Sequence, residues 1–207
     1  GQSENLPAHR GHRSAPGLPG ERRRREPLRI LHVGATGLIG EAVASALEAA
    51  GHRVVRVGRS TGDHTVVLES KASIAALYDA VGEVGAVVCT AGVAVFGAVD
   101  DLDDQAYDTS IANKLMGQVN LVRLGIERVA VGGSFTLTTG TLTTKPGPGN
   151  VAVAMVGGGV EAFVRAAAID FEGRYRITGV SPGWVAEPRQ AAGLDPEPGI
   201  RAADLAQ

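Results

Sequence analysis

The chain has 207 residues, is 44% hydrophobic and only 4% aromatic, and carries a formal net charge of −2. That length suits one α/β core of good size and is too short for two full domains. A single cysteine, Cys89, excludes an internal disulfide and any paired-cysteine zinc site, and it fits a reducing, cytoplasmic setting.

The charge is unevenly spread. Residues 1–29 hold seven arginines against three acidic residues, with a run at Arg22-Arg23-Arg24-Arg25 among several Gly and Pro. Residues 1–28 read as a disordered, solvated basic tail, and residues 29–207 as one folded domain. The domain is mildly acidic and offers no basic stripe for nucleic acid. The N-terminus has no apolar signal core, and no apolar run reaches the length of a membrane span, so no membrane partner is expected. No metal-ligand spacing is present.

In chain order, Arg29–Val33 predicts a first strand. It runs at once into Gly34-Ala35-Thr36-Gly37-Leu38-Ile39-Gly40, and a helical pattern covers 38–50. Strand, glycine turn and helix in this order make a dinucleotide cradle: Gly34 makes the turn, Gly37 lets phosphates approach backbone, and Gly40 lets helix and strand pack. The helix N-terminus adds free N–H groups and a positive dipole end. The next strand, 54–57, ends in Gly58-Arg59-Ser60, where an acidic residue would favour NAD. Arg59 points instead to a 2′-phosphate and so to NADP(H).

Further strands are predicted at 65–68, 86–90, 133–138 and 177–180, and further helices at 71–81, 105–125 and 151–171. Strands alternating with helices indicate a Rossmann-like, doubly wound parallel sheet in three α/β/α layers. Only residues 58–64 join the second and third strands, too few for the usual crossover, so either the intervening helix is missing or the third strand is a short stub, and the helix is expected to be missing. The segment 142–150, containing Lys145-Pro146-Gly147-Pro148-Gly149, reads as a loop beyond the carboxyl end of a strand. Residues 186–199 read as a Pro/Gly-rich flap. Gly157-Gly158-Gly159 inside a helix costs about 1 kcal/mol per glycine relative to Ala, which close packing must offset.

Over residues 29–207 the chain resembles the short-chain dehydrogenase/reductases. Besides the glycine turn, Cys89-Thr90-Ala91-Gly92 is similar to the family's NNAG, Gly132-Gly133-Ser134-Phe135 to the start of its fifth strand, and Val180-Ser181-Pro182-Gly183 to its PG motif. The resemblance implies an NADP(H)-dependent oxidoreductase acting on a small carbonyl or alcohol. It implies cofactor contacts from Gly34, Thr36, Gly37, Leu38, Ile39, Gly40, Arg59, Ser60, Ala91, Gly92, Pro182, Gly183 and Val185. It also implies a homodimer or homotetramer through the helices at 105–125 and 151–171. Trp184 would then border the substrate.

The family's catalytic Tyr and the Lys four residues after it are absent. The residues four after Tyr78, Tyr107 and Tyr175 are Gly82, Ile111 and Gly179. Aligned on the fourth helix, Val153 stands at the Tyr position and Gly157 at the Lys position, and Lys114 falls where the family has a helix Asn. Two readings follow. In one, Lys114 serves as the acid and Thr139 or Thr141 holds the carbonyl, giving a reductase with a non-standard site. In the other, the chain binds NADP(H) without turnover, as a sensor or scaffold similar to the NmrA-like branch. The resemblance further implies that the last helix and sheet strand are lacking, which would leave an open sheet edge.

Overall fold

The computed structural model describes residues 26–183 and 199–205. Strand β1 (Arg29–Val33) leads through the glycine turn into helix α1 (Leu38–Ala49), β2 (Arg53–Gly58) and β3 (His64–Thr65). Helix α2 (Lys71–Val81) and β4 (Val84–Cys89) follow, then α3 (Asp104–Ser110), a π-helical turn (Ile111–Leu115) and α4 (Met116–Gly125). Strand β5 (Val129–Thr138), a 3-10 turn (Thr141–Thr143), α5 (Val151–Asp170), β6 (Arg176–Val180) and α6 (Ala202–Leu205) complete the described elements.

The six strands form one parallel sheet in the order β3-β2-β1-β4-β5-β6. This is the doubly wound arrangement, with its switch point between β1 and β4. Successive side chains of a strand point to opposite faces. On one face Leu31, Val33, Val57, Val87, Phe135 and Leu137 pack against Ile74, Leu77 and Tyr78 of α2, Leu121 and Val122 of α4, and Val160 of α5. This is the main core. On the other face Arg56 ties β2 to α1 through Glu41 and Glu48, both at 2.8 Å, and α6 lies against α1. Two tyrosines are fixed as structural groups: Tyr78 Oη donates to the Leu121 carbonyl at 2.6 Å and Tyr175 Oη to that of Ile126 at 2.9 Å.

Several expectations change. The third strand is a two-residue stub at His64–Thr65 rather than 65–68, the shorter of the two alternatives, while the helix before it is missing as expected. The short link lets the chain pair with β2 only over Val57–Gly58 before turning into α2. Strand β5 starts at Val129, four residues early, because a register shift opposite Val84–Ala86 lets pairing resume past Gly132. The helix expected over 105–125 is interrupted: Met116 N–H donates to the Ile111 carbonyl, five residues back, which opens one wide turn.

One helix, α5, is long and apolar enough to cross a membrane, contrary to the expectation that no such run exists. In the fold it docks against β6 and the 3-10 turn, with Ala152, Val156, Gly157, Val160 and Ala167 buried. Two of its glycines show why they are tolerated. A Cβ on Gly157 would lie 2.5 Å from Thr143 Cγ2, and one on Gly159 would lie 3.0 Å from Leu115 Cδ1, whereas one on Gly158 would meet nothing.

Candidate active-site cleft

The carboxyl ends of all six strands open onto one cleft at the switch point. Two cavities share Thr90, Gly92 and Val93. The first, of about 210 Å³, is lined by residues that follow β1, β2, β3 and β4, including Gly34, Gly37, Arg59 and Leu68. The second, of about 410 Å³, lies toward β5 and β6 and includes Lys114, Thr141, Val153 and Pro182. The larger volume falls within the range of small-molecule sites.

The glycine turn behaves as its three positions predict. Gly34 has φ +95°, and a Cβ there would sit 2.6 Å from the Ala91 nitrogen and 2.8 Å from Thr90 Oγ1. A Cβ on Gly40 would overlap the Gly34 carbonyl oxygen, so helix and strand approach closely only with glycine. Gly37 is the N-cap of α1 and is exposed, and a Cβ there would meet only the Gly34 oxygen, at 3.4 Å. The protein's own packing makes no demand for glycine at 37. The open space lies on the side from which an anion would reach the N-terminus of α1.

Arg59 and Thr36 line the first cavity, between apolar Val66 and Leu68 and the backbone of Ala91 and Gly92. Ser60 is exposed beside Arg59 and does not line it. Arg59 is itself paired loosely, 3.8 Å from Glu69, and remains 71% exposed at its side chain. Glu69 is held more firmly by Asn113, whose Nδ2 donates to Glu69 Oε1 at 2.6 Å. This bond, with the nearby Arg59, holds the Glu69 carboxyl below the usual carboxylate range. The Asn113 carbonyl oxygen accepts from the Val93 N–H at 2.7 Å, and Ser110 Oγ accepts from Val95 N–H at 2.9 Å. The π turn and the end of α3 thus clamp the loop after β4.

Ile39, Pro182 and Gly183 line the second cavity with Lys114, Thr139, Thr141, Val153 and Gly157. Val153 and Gly157 thus border this cavity, and none of the three tyrosines lines either cavity. Lys114 lies along Gly92: a Cβ on Gly92, whose φ is +133°, would be 2.5 Å from Lys114 Cδ and 3.4 Å from Nζ. Burial pushes the Lys114 ammonium below its ordinary pKa, only partly offset by nearby Cys89. Burial likewise pushes the Cys89 thiol up to about 11. Lys114 has no ion-pair partner among the described residues.

The two threonines differ. Thr139 Oγ1 donates to Glu161 Oε1 at 3.1 Å, and Thr143 Oγ1 reaches the same oxygen at 2.8 Å. The Thr139 hydroxyl is therefore occupied within the protein. Thr141 keeps its backbone engaged, with N–H to the Pro182 carbonyl at 2.9 Å, while its hydroxyl has no partner among the described residues. Leu38 lines neither of these cavities and borders a surface groove with Ala202 and Ala203 of α6. Val185 and Trp184, with most of the 186–199 segment, lie outside the described residues. Glu69 and the roles of Asn113, Thr90 and Glu161 escape sequence reasoning, because each acts on a partner distant in the chain.

Known proteins give this geometry a context. Residues 61–206 match the family model described as enoyl-(acyl carrier protein) reductase. Elsinochrome reductase 1 of Elsinoe fawcettii is 29% identical over 147 residues, covering 66% of this chain and 55% of that protein. The chain thus spans about half the length of that curated relative. Among solved structures, the protein lin1944 of Listeria innocua is 38% identical with a TM-score of 0.82, over 86% of this chain and 90% of that one. A small-chain dehydrogenase in complex with NADPH shares the fold at 24% identity and a TM-score of 0.76, over 87% of this chain and 88% of that one. The parallel sheet, the glycine turn at its switch point and the family match over most of the chain lead to one conclusion: the chain belongs to the short-chain dehydrogenase/reductase superfamily.

Proposed function

We propose that this chain is an NADP(H)-dependent oxidoreductase that interconverts a carbonyl and an alcohol, with Lys114 in the place of the usual tyrosine acid. The observation that carries the reading is Lys114 itself: a half-buried ammonium with no ion-pair partner among the described residues, in the cavity next to the glycine turn. Gly34, Gly37 and the first turn of α1 fit a diphosphate, Thr36 and Arg59 fit the phosphorylated ribose, and the small residues Ala91 and Gly92 line the same cavity. The NADPH in the complexed neighbour supports this choice of cofactor.

A bound nicotinamide dinucleotide supplies the hydride. The residues of this chain do the rest. Thr141 Oγ1 and Lys114 Nζ both donate, and together they hold a carbonyl oxygen in the second cavity. Lys114 passes a proton to that oxygen as negative charge develops there, so the C=O becomes CH–OH; in the reverse direction the neutral amine takes the proton back. Val93, Phe96, Leu142 and Val153 make the walls apolar, which suits a carbonyl on an apolar frame. Thr139, tied to Glu161, keeps the end of β5 in place and supports this arrangement from behind. We also propose self-association through the outer face of α5, where Met155 and Ile169 are 44% and 75% exposed.

A panel of aldehydes, ketones and quinones assayed with NADPH and with NADH tests the reading. NADPH-dependent turnover is expected, and Lys114→Ala should lower kcat about 10²-fold or more while NADPH binding persists. A second reading, a cofactor-binding sensor without turnover, is favoured by one observation, the absence of any tyrosine from the cleft. Tight NADPH binding with no turnover across the panel would establish it and overturn the first.

A further inference from the structure

His32 sits in the middle of the central strand, fully buried, on the face that α1 covers. Its Nε2 lies 3.0 Å from Thr90 Oγ1, and its Nδ1 has no hydrogen-bond partner. Thr90 is the residue just after β4 and lines both cavities, so it stands where they meet. The same oxygen would be 2.8 Å from a Cβ on Gly34, so the glycine turn passes directly over it.

The proton positions follow from what the two nitrogens can afford. Burial, aided by the neighbouring Arg56, pushes the His32 pKa down to about 4, so the ring is neutral at physiological pH and carries one proton. With that proton on Nδ1, a buried N–H would be orphaned, a rare and costly state; with it on Nε2, only a lone pair is orphaned, which is better tolerated. Nε2–H therefore donates to Thr90 Oγ1. The Thr90 hydroxyl, having accepted, must place its own proton elsewhere. It has no second partner among the described residues, and Thr90 borders both cavities.

We infer that His32 locks the Thr90 hydroxyl as a donor aimed into the junction of the two cavities, where it binds an anionic or hydroxyl oxygen in the central part of the dinucleotide. The inference rests on the cofactor reading above. It gives the chain a further side-chain donor beside the backbone N–H groups of the glycine turn. His32 is then a positioning residue, acting through Thr90.

Two measurements test this. Nitrogen-15 NMR of the ring in the full-length wild-type protein reads the tautomer without any cofactor. A protonated Nε2 and a bare Nδ1 are expected, and a protonated Nδ1 would overturn the inference. Fluorescence titration with NADPH then compares Thr90→Val, Thr90→Ser and His32→Gln. Thr90→Val should weaken binding about tenfold, as expected for losing one donor to a charged acceptor, while Thr90→Ser and His32→Gln, which retain the hydroxyl and an Nε2 donor, should stay within about threefold. Folded Thr90→Val that binds NADPH as tightly as the wild type overturns the inference and leaves the cofactor reading intact. Wild-type protein that binds neither NADPH nor NADH overturns both.

Discussion

Replacing Gly157 and Gly158 separately by alanine should move stability in opposite directions, although the two are neighbours on one helix. Each substitution gains about 1 kcal/mol from helix propensity. At Gly158 nothing lies within 4 Å of the added methyl, so the gain stands alone. For a chain of this size it raises Tm by about 2–4 °C. At Gly157 the methyl would come 2.5 Å from Thr143 Cγ2. Thr143 is not free to swing aside, because its hydroxyl bridges Glu161 at 2.8 Å and the Gly140 carbonyl at 3.1 Å. Displacing it sacrifices a hydrogen bond to a charged group, worth about 1.5–3 kcal/mol, or forces an overpacked contact of similar cost. The net effect is a loss of about 1 kcal/mol and a Tm lowered by about 2–4 °C. Thermal melts followed by circular dichroism at matched protein concentration read both. A Gly157→Ala protein that gains as much as Gly158→Ala would show that the 3-10 turn is not held against α5 as described.

Two other outcomes follow from the charges around the cleft. Glu69→Gln retains an acceptor for Asn113 but releases Arg59, so NADPH should bind about three- to tenfold tighter with NADH unchanged, and Arg59→Ala should cut the NADPH:NADH affinity ratio about tenfold; calorimetric titration that finds the ratio unmoved by Arg59→Ala refutes the assignment. His32, whose pKa falls from 6.5 to about 4, binds its proton more readily in the unfolded chain. Its contribution is therefore complete above pH 6.5 and is lost as pH falls toward 4, a loss of roughly 3 kcal/mol. Urea midpoints should drop less between pH 7 and pH 4.5 for His32→Gln than for the wild type, and an equal drop would count against a neutral, buried ring.

The sheet and the glycine turn were legible because both are local. Alternating strands and helices, and glycines three apart, are written in consecutive residues, and β1, α1, α2 and α5 fall within a residue or so of their expected ends. Val153 and Gly157, singled out by the resemblance to the family's helix, both border the second cavity. What escaped depends on partners distant in sequence. Hydrophobic periodicity does not report whether an N–H bonds four or five residues back, so the π turn at Ile111–Leu115 read as ordinary helix. Thr139 and Thr141 look equivalent in sequence, and only Glu161, some twenty residues on, separates an occupied hydroxyl from one without a partner among the described residues. Arg59 was singled out without Glu69, because the expected third strand concealed the loop that brings the carboxylate back.

The π turn carries a consequence for how this protein tolerates change. In hydrogen-bond terms it is a helix with one residue too many, and removing any one of Ile111–Leu115 would restore an unbroken α-helix. Each residue of an α-helix turns by about 100°, so such a deletion would rotate one half of the long helix against the other by that amount. Either Asn113 would leave Val93 and Glu69, or Gln118 would leave the Thr138 backbone, to which it is bonded at 3.0 and 3.1 Å. No single compensating substitution repairs a rotation. The stretch therefore accepts changes of side chain far more readily than changes of length, and single-codon deletions across it should be silent in composition yet lost in function.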